Sequence, residues 1–439
     1  MKVLVLGAGV IGTASAWYLA RAGHEVTVVE RQPGAGLETS FANGGQISVS
    51  QSEPWAAPGA PLKVLKWLGR EDAPLLFRPR LSWHQLSWGL RFLFECLPSR
   101  FRFNIREMVN LGRYSRESLQ ELRRETGIEY DQLARGILQF YTDAKEFENA
   151  QFASDVLREY GIERVVKTVD EAIAIEPALE SARGKLVGAT YAQGDESGDA
   201  TKFTHNLAQL CQNAGVRFSY QTRIEAIETG GGSVTGVRVR RETGQPETLT
   251  ADAYVVALGS YSPLLLRPIG ISVPVYPAKG YSATLSTEGF RGAPRVSLTD
   301  EGHKIVFSRL GDRLRIAGTA ELAGYDTGLN TVRCAALVKR ARELFPSAAD
   351  YAHPVFWAGL RPATPSNCPI IGRTARYRNL YINTGHGTLG WTESCGSGRA
   401  LADIVSGKTP EVDYHFLGVS GRRTATVPGS VTPRFANRR

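Results

Sequence analysis

Three glycines near the start of the chain, Gly7, Gly9 and Gly12, stand in the spacing G-x-G-x-x-G, and an acid, Glu30, follows 23 positions after Gly7. That pattern suits a dinucleotide. Gly7 permits a tight turn, Gly9 lets the backbone approach a pyrophosphate, and Gly12 lets helix and strand pack closely. A helix opening at Val10 and Ile11 turns free N–H groups and a positive dipole end toward the anion. Glu30 would accept hydrogen bonds from a ribose diol, and its charge disfavours a 2′-phosphate there. The spacing alone is a weak signal, and its context strengthens it. An apolar strand precedes it, a helical run covers 10–22, and a second strand covers 25–30, which is the βαβ unit the motif requires. The motif does not choose between NAD and FAD, since both contain ADP.

A second constellation lies far down the chain. Gly359-Leu360-Arg361-Pro362 precedes the glycine-rich turn Gly385-His386-Gly387-Thr388-Leu389-Gly390-Trp391-Thr392, and small residues follow, Ser394 to Gly398. A guanidinium at 361 would grip a carboxylate bidentately and stay charged at any working pH. The plain alternative for Arg361 is a structural ion pair. His386 either contributes to catalysis or satisfies backbone in a tight turn. No Ser/His/Asp nucleophile stands out. The seven histidines and five cysteines (96, 211, 334, 368, 395) show no metal-ligand spacing.

The stretch after Glu30 narrows the reading. Arg31-Gln32-Pro33-Gly34 leads to Glu38-Thr39-Ser40-Phe41-Ala42-Asn43-Gly44-Gly45-Gln46-Ile47-Ser48. Together with Trp55 to Gly59, Gly259-Ser260-Tyr261-Ser262, Lys279-Gly280-Tyr281-Ser282, Gly359 to Pro365 and Asn383 to Gly398, it resembles the D-amino-acid oxidase superfamily of FAD enzymes. Within that superfamily it is similar to the bacterial D-amino-acid dehydrogenase family of small-subunit type. The likeness runs from residue 1 to about 418, and 383–398 is its most specific element.

The resemblance implies bound FAD. No cysteine or histidine lies in the segment after Glu30, so the expected attachment is non-covalent. Arg31, Thr39, Ser40, Asn43, Gly44, Gln46 and Ile47 would join the first glycine turn around the cofactor. Ile224, Ala257 and Gly259 would flank it, as would Gly359. Gly385, Gly387, Thr388, Leu389, Gly390, Trp391 and Thr392 would form the flavin turn, where N–H groups at a helix N-terminus stabilise the anionic reduced ring. Arg361 would take the substrate carboxylate. Tyr281 or Tyr261 would lie over the substrate, the bland reading for either being a core tyrosine. The implied reaction is oxidative deamination of D-amino acids to 2-oxo acids and ammonia. A Cα hydride would pass to flavin N5 with no obligatory base, and electrons would go on to a quinone-type acceptor. The alternative is the same fold acting on a secondary amine such as proline, hydroxyproline or sarcosine.

These residues need a scaffold, and the implied one is α/β with an α+β second domain. A Rossmann-like FAD domain of glutathione-reductase type would comprise 1–53, 197–266 and 355–418. A substrate domain built on an antiparallel sheet would comprise 54–196 and 267–354. The run Ala253 to Gly259 is near-continuously apolar, as a buried parallel strand should be.

The chain has 439 residues and a net charge of +9. Residues 60–106 hold nine Lys/Arg against three Asp/Glu, net +6, and 420–439 hold five Arg and no acid. Nucleic acid is not expected, because no binding motif accompanies the charge. The tail 419–439, rich in Ser, Thr, Pro, Gly and Arg, reads as disordered. Met1 leads straight into the first strand, so neither a signal peptide nor a spanning helix is expected. Residues 55–95 hold four of the seven tryptophans, with Trp83, Leu86, Leu90, Leu93 and Phe94 at helical spacing among Lys63, Lys66, Arg70, Arg78, Arg80 and Arg91. Such a stretch either lies on an anionic membrane surface or packs on the protein's own core. The expected location is cytoplasmic, peripheral on the inner face of the cell membrane.

Overall fold

The computed structural model describes residues 1–419 other than 68–70, 72–73, 81 and 243. The expected disordered tail, from 420 on, lies outside the described residues, as do Arg70 and the side chains of Lys63, Lys66 and Trp67.

The apolar strands Lys2–Leu6 and Glu25–Val29 pair in parallel and sit inside a six-stranded sheet. The sheet order is Ile370–Arg373, Leu380–Thr384, Ala253–Val256, Lys2–Leu6, Glu25–Val29, Arg217–Ser219. All neighbours run parallel except the first pair. Strand Ala253–Val256 is buried throughout, so it has no polar face. Helices Val10–Arg21, Ala200–Asn213 and Ser394–Val405 cover one side. The small residues of the last helix have a steric reason. A Cβ on Gly398 would meet the Ala14 carbonyl carbon at 2.8 Å, and one on Gly396 would meet Ser115 Cα at 2.7 Å. The helix therefore packs backbone to backbone against Val10–Arg21 and against the long helix Pro98–Thr126. The antiparallel strands Thr222–Gly230, Ser233–Arg241 and Glu247–Leu249 cover the other side.

The second sheet has nine strands and is mixed, where an antiparallel sheet was expected. Its order is Val355–Ala363, Tyr276–Ser286, Arg313–Leu322, Ile305–Leu310, Ser297–Asp300, Ile137–Tyr141, Gly188–Ala192, Val165–Lys167, with Leu75–Phe77 also on Arg313–Leu322. Two pairings are parallel: Ser297–Asp300 with Ile137–Tyr141, and Arg313–Leu322 with Leu75–Phe77. Long connections between these partners make that possible. Strand Val355–Ala363 pairs with Tyr276–Ser286 over nine residues, from Tyr276 opposite Ala363 to Thr284 opposite Val355. It thus belongs to this sheet, whereas 355 was expected to open the third cofactor-side block.

Period-two alternation gives this sheet two unlike faces. Tyr281, Ala283 and Leu285 face a core closed by helix Thr331–Leu344. Gly280, Ser282 and Arg361 lie on the opposite face.

Candidate functional site

The first glycine turn has the close contacts its spacing predicts. Gly7 adopts φ +105°, and a Cβ there would stand 2.7 Å from the Ala257 carbonyl oxygen. A Cβ on Gly12 would stand 1.9 Å from the Gly7 carbonyl oxygen. Gly9 faces open space, with only Ser40 Oγ within 4 Å of a built Cβ, at 3.7 Å. The Ser40 hydroxyl accepts from Val10 N at 3.1 Å. The first intrahelical bond is from Thr13 N to Gly9 O. The Ile11 and Gly12 N–H groups therefore have no intrahelical acceptor and point out of the turn. Glu30 is buried and accepts from Ala8 N at 2.8 Å and Gln32 N at 2.9 Å. Burial raises its pKa, and these backbone bonds oppose the shift.

The loop after Glu30 is pinned at several points. The Arg31 guanidinium pairs with Glu38 and lies 4.2 Å from the centre of the Tyr261 ring. Thr39 Oγ1 donates to Leu360 O at 2.8 Å, which ties the loop to the strand bearing Arg361. Asn43 Oδ1 accepts from Gly45 N, and Gly44 lies flat against Val306 and Ala317 of the second sheet. Gln46 Nε2 donates to Ser297 Oγ and Thr299 Oγ1, and Ile47 is core. Ile224 packs beside the core cluster under the three-stranded sheet. The Gly259 carbonyl accepts from Thr384 Oγ1 at 3.0 Å.

At the second turn, Gly385 takes φ +87° and Gly387 φ +52°. Gly387 N donates to Pro362 O at 2.9 Å, joining this turn to the Arg361 strand. Leu389 N closes back on His386 O. Among the described residues, the N–H groups of Thr388 and Gly390 have no acceptor, and helix Ser394–Val405 has no side-chain cap. The Thr392 hydroxyl accepts from Ser48 N at 3.0 Å, which ties this turn to the loop that follows Glu30. Trp391, expected at the cofactor, turns its ring into the core. It packs 4.6 Å from Phe203 and 5.7 Å from Tyr130, and its indole N–H reaches Gly198 O. The glycine cradles, the uncapped helix starts and the Glu30 carboxylate fit a flavin adenine dinucleotide spanning both turns.

Arg361 lies on the same sheet face as Gly280 and Ser282. Its guanidinium occupies the space above Gly280, where a Cβ would stand 2.2 Å from Cζ. Nη1 donates to Thr319 O at 2.9 Å. Thr319 takes φ +57°, an uncommon left-handed geometry for a β-branched residue. No carboxylate pairs with Arg361 among the described residues. Burial, with a smaller push from Arg333, lowers its pKa to about 10, so it stays charged at neutral pH. Ser282 Oγ, on the same face, is buried with no partner among the described residues.

None of the other catalytic candidates bonds to Arg361 among the described residues. Tyr281 points to the opposite face, where its hydroxyl donates to Glu321 at 2.6 Å beside Lys279 and Arg333. It is one strand position from Gly280, and alternation sends it the other way. Tyr261 stacks with Arg31 and, at 5.7 Å, with Tyr325. His386 is buried, and burial lowers its pKa to about 3. The Ser397 hydroxyl stands within hydrogen-bond reach of Glu393 O at 2.8 Å and Ser394 O at 3.2 Å. His386 Nε2 lies 3.1 Å from Ser397 Oγ, and Nδ1 is buried without a partner among the described residues.

Three features escaped the sequence reading. Arg315, buried on the Arg361 face, donates to Asn43 O at 3.1 Å and carries a pKa lowered by burial to about 10. A polar row of Ser297, Thr299 and Ser308 meets Gln46 and Gln51. Its alternation in Ser297-Leu298-Thr299 was the available signal. Glu393 is fully buried, neither carboxylate oxygen has a hydrogen-bond partner among the described residues, and burial pushes its carboxyl well above the usual range.

The chain is similar to known proteins in sequence and fold. The family described as FAD dependent oxidoreductase matches residues 2–404. The chain belongs to that family. A D-amino acid dehydrogenase of Dechloromonas aromatica is 62% identical to it over 417 residues, covering 95% of this chain and 100% of that protein. A D-amino acid dehydrogenase of Paramagnetospirillum magneticum is 53% identical over 424 residues, 95% of this chain and 98% of that protein. The crystal structure of a glycine oxidase from Bacillus cereus shares the fold, with a TM-score of 0.70 at 24% identity, over 93% of this chain and 97% of that one. FAD-dependent oxidoreductase chemistry is thus the family's, and the expected α/β flavoenzyme fold is the observed one.

Proposed function

We propose that this chain catalyses the oxidative deamination of D-amino acids to 2-oxo acids and ammonia, delivering electrons to a quinone-type acceptor. The observation that carries the reading is Arg361, a half-buried guanidinium above Gly280 with no carboxylate to neutralise it among the described residues. Leaving a cation so placed is costly unless a ligand supplies the anion. An amino-acid carboxylate does so, with two parallel N–H···O bonds. FAD, held non-covalently by the two glycine turns, supplies the hydride acceptor. The chain's own part is orientation and dryness. Arg361 fixes the carboxylate, and the Ser282 hydroxyl stands on the same face as a further polar contact. The near identity in length to relatives named D-amino acid dehydrogenase supports the D-amino acid as substrate.

The test is Arg361→Lys. Lysine keeps the charge and loses the planar fork. The variant should keep its flavin and lose substrate binding by about 2–5 kcal/mol in kcat/KM on D-alanine. Unchanged kinetics would refute the assignment, and faster turnover of proline than of D-alanine by the parent would refute the substrate class.

The acceptor side rests on a second observation. Helix Trp83–Glu95 turns its apolar stripe outward: Trp83 is 76% exposed, Leu86 and Leu90 55%, and Phe94 57%. Leu93 and Leu97 extend the stripe. Arg80, Arg91 and Arg102 are exposed in the same segment. An apolar stripe with a cationic border suits the surface of an anionic bilayer, where quinones reside. No helix among the described residues is long and apolar enough to cross a membrane, so the association proposed is peripheral.

A further inference from the structure

We propose that helix Trp83–Glu95 couples the lipid surface to the amino-acid site, with Trp88 as the positioning residue, so that docking on an anionic bilayer tightens substrate binding. This rests on the membrane reading above. The outer side of the helix is the exposed stripe. Its inner side grips the strands that build the clamp. Trp88 Nε1 donates to Ala363 O at 2.9 Å, two residues beyond Arg361. The indole packs in one cluster with Tyr276, Ala278, Leu322 and Ala363. Ala278 is the cross-strand partner of Arg361, so Trp88 stands on the guanidinium's own face of the sheet. His84 Nε2 donates to Val275 O at 3.0 Å, and Gln85 Nε2 donates to Leu322 O at 3.3 Å. The helix therefore bonds at one end of three adjacent strands. Those strands carry Gly280, the Thr319 carbonyl and Arg361.

The attachment is made by one side of the helix, where Phe92 stacks on Trp88 and His84 lies against Tyr276. Within the helix only Gln85 and Trp88 are buried, while the opposite side has no protein cover among the described residues. The coupling requires that the seat of the helix differ between water and lipid, with the strand ends that carry Arg361 following it. Lipid contact favours one seated position. A ligand that binds one arrangement better shifts the population toward it. Linkage is reciprocal, so a carboxylate ligand must strengthen lipid binding by the same factor.

The experiment uses the full-length, FAD-loaded enzyme with D-alanine and a soluble dye as acceptor, with and without phosphatidylglycerol vesicles, and co-sedimentation is measured in parallel. The parent should sediment with the vesicles, and its KM should fall about fivefold while kcat changes less than about twofold. D-lactate, which keeps the carboxylate and lacks the amine, should raise the vesicle partition by a similar factor. Trp88→Phe should still sediment but lose the KM response. Sedimentation with an unchanged KM overturns the coupling and leaves the membrane reading standing. Absence of sedimentation overturns both. A Trp88→Phe variant that responds like the parent removes Trp88 from the role, and a response equal in phosphatidylcholine vesicles removes the anionic surface.

Discussion

The guanidinium of Arg361 fills the volume that a side chain at Gly280 would occupy, one strand over on the same sheet face. The glycine is thus a spatial requirement of the arginine. Gly280→Ala should displace the guanidinium while leaving the fold intact, because the Arg361 side chain can swing where backbone cannot. We expect KM for D-alanine to rise about tenfold, or roughly 1.4 kcal/mol of lost binding, with full flavin content. Steady-state kinetics beside the visible spectrum checks this, and an unchanged KM would mean that Arg361 is not on the substrate.

Glu30→Ala should weaken FAD by about 1.5–3 kcal/mol with little change in substrate preference, since a ribose diol bonded to a charged group is worth that much. Equilibrium dialysis of flavin from parent and variant measures it. Acid precipitation of the parent should release all yellow colour to the supernatant, and colour kept in the pellet would show a covalent link.

Trp83 and Trp88 should part company. Trp83 is exposed and Trp88 is buried with its indole N–H bonded to Ala363 O. Trp83→Ser should abolish sedimentation with anionic vesicles and leave the melting temperature unchanged. Trp88→Ser should destabilise by about 3–5 kcal/mol, the usual cost of deleting a buried aromatic. Equal effects of the two on stability would contradict the orientation of the helix.

His386 should not titrate across the working pH range. Burial holds its pKa at about 3, below the ordinary 6.5, so the folded state keeps it neutral. A depressed histidine pKa contributes stability that is present above pH 6.5 and is lost as pH falls toward 3. His386→Asn should therefore lose less stability than the parent between those limits. The pH profile of kcat/KM between 5 and 8 should keep its shape in the variant. A missing inflection there would restore His386 as an acid–base group.

Local chemistry decided much of this protein from the sequence alone. The βαβ unit, Glu30 at its end and the second glycine turn depend on spacing within short segments, and the close contacts at Gly7, Gly12 and Gly385 are those which a glycine serves. The polarity stripe of helix Trp83–Glu95 was equally legible, because helical periodicity is a property of the segment itself. Which way that stripe faces was not, since a buried and an exposed apolar face read alike until the partner strands are placed. Tyr281 illustrates the same limit. It stands next to Gly280 in the chain, yet pleating sends it to the far face, to Glu321. Arg361 met its setting only when a strand at 355–363 paired with one at 276–286, which set it above a glycine with no carboxylate partner among the described residues. Residue types and spacing define what each segment can bind. Register and face, set by long-range pairing and burial, decide which of those groups meet.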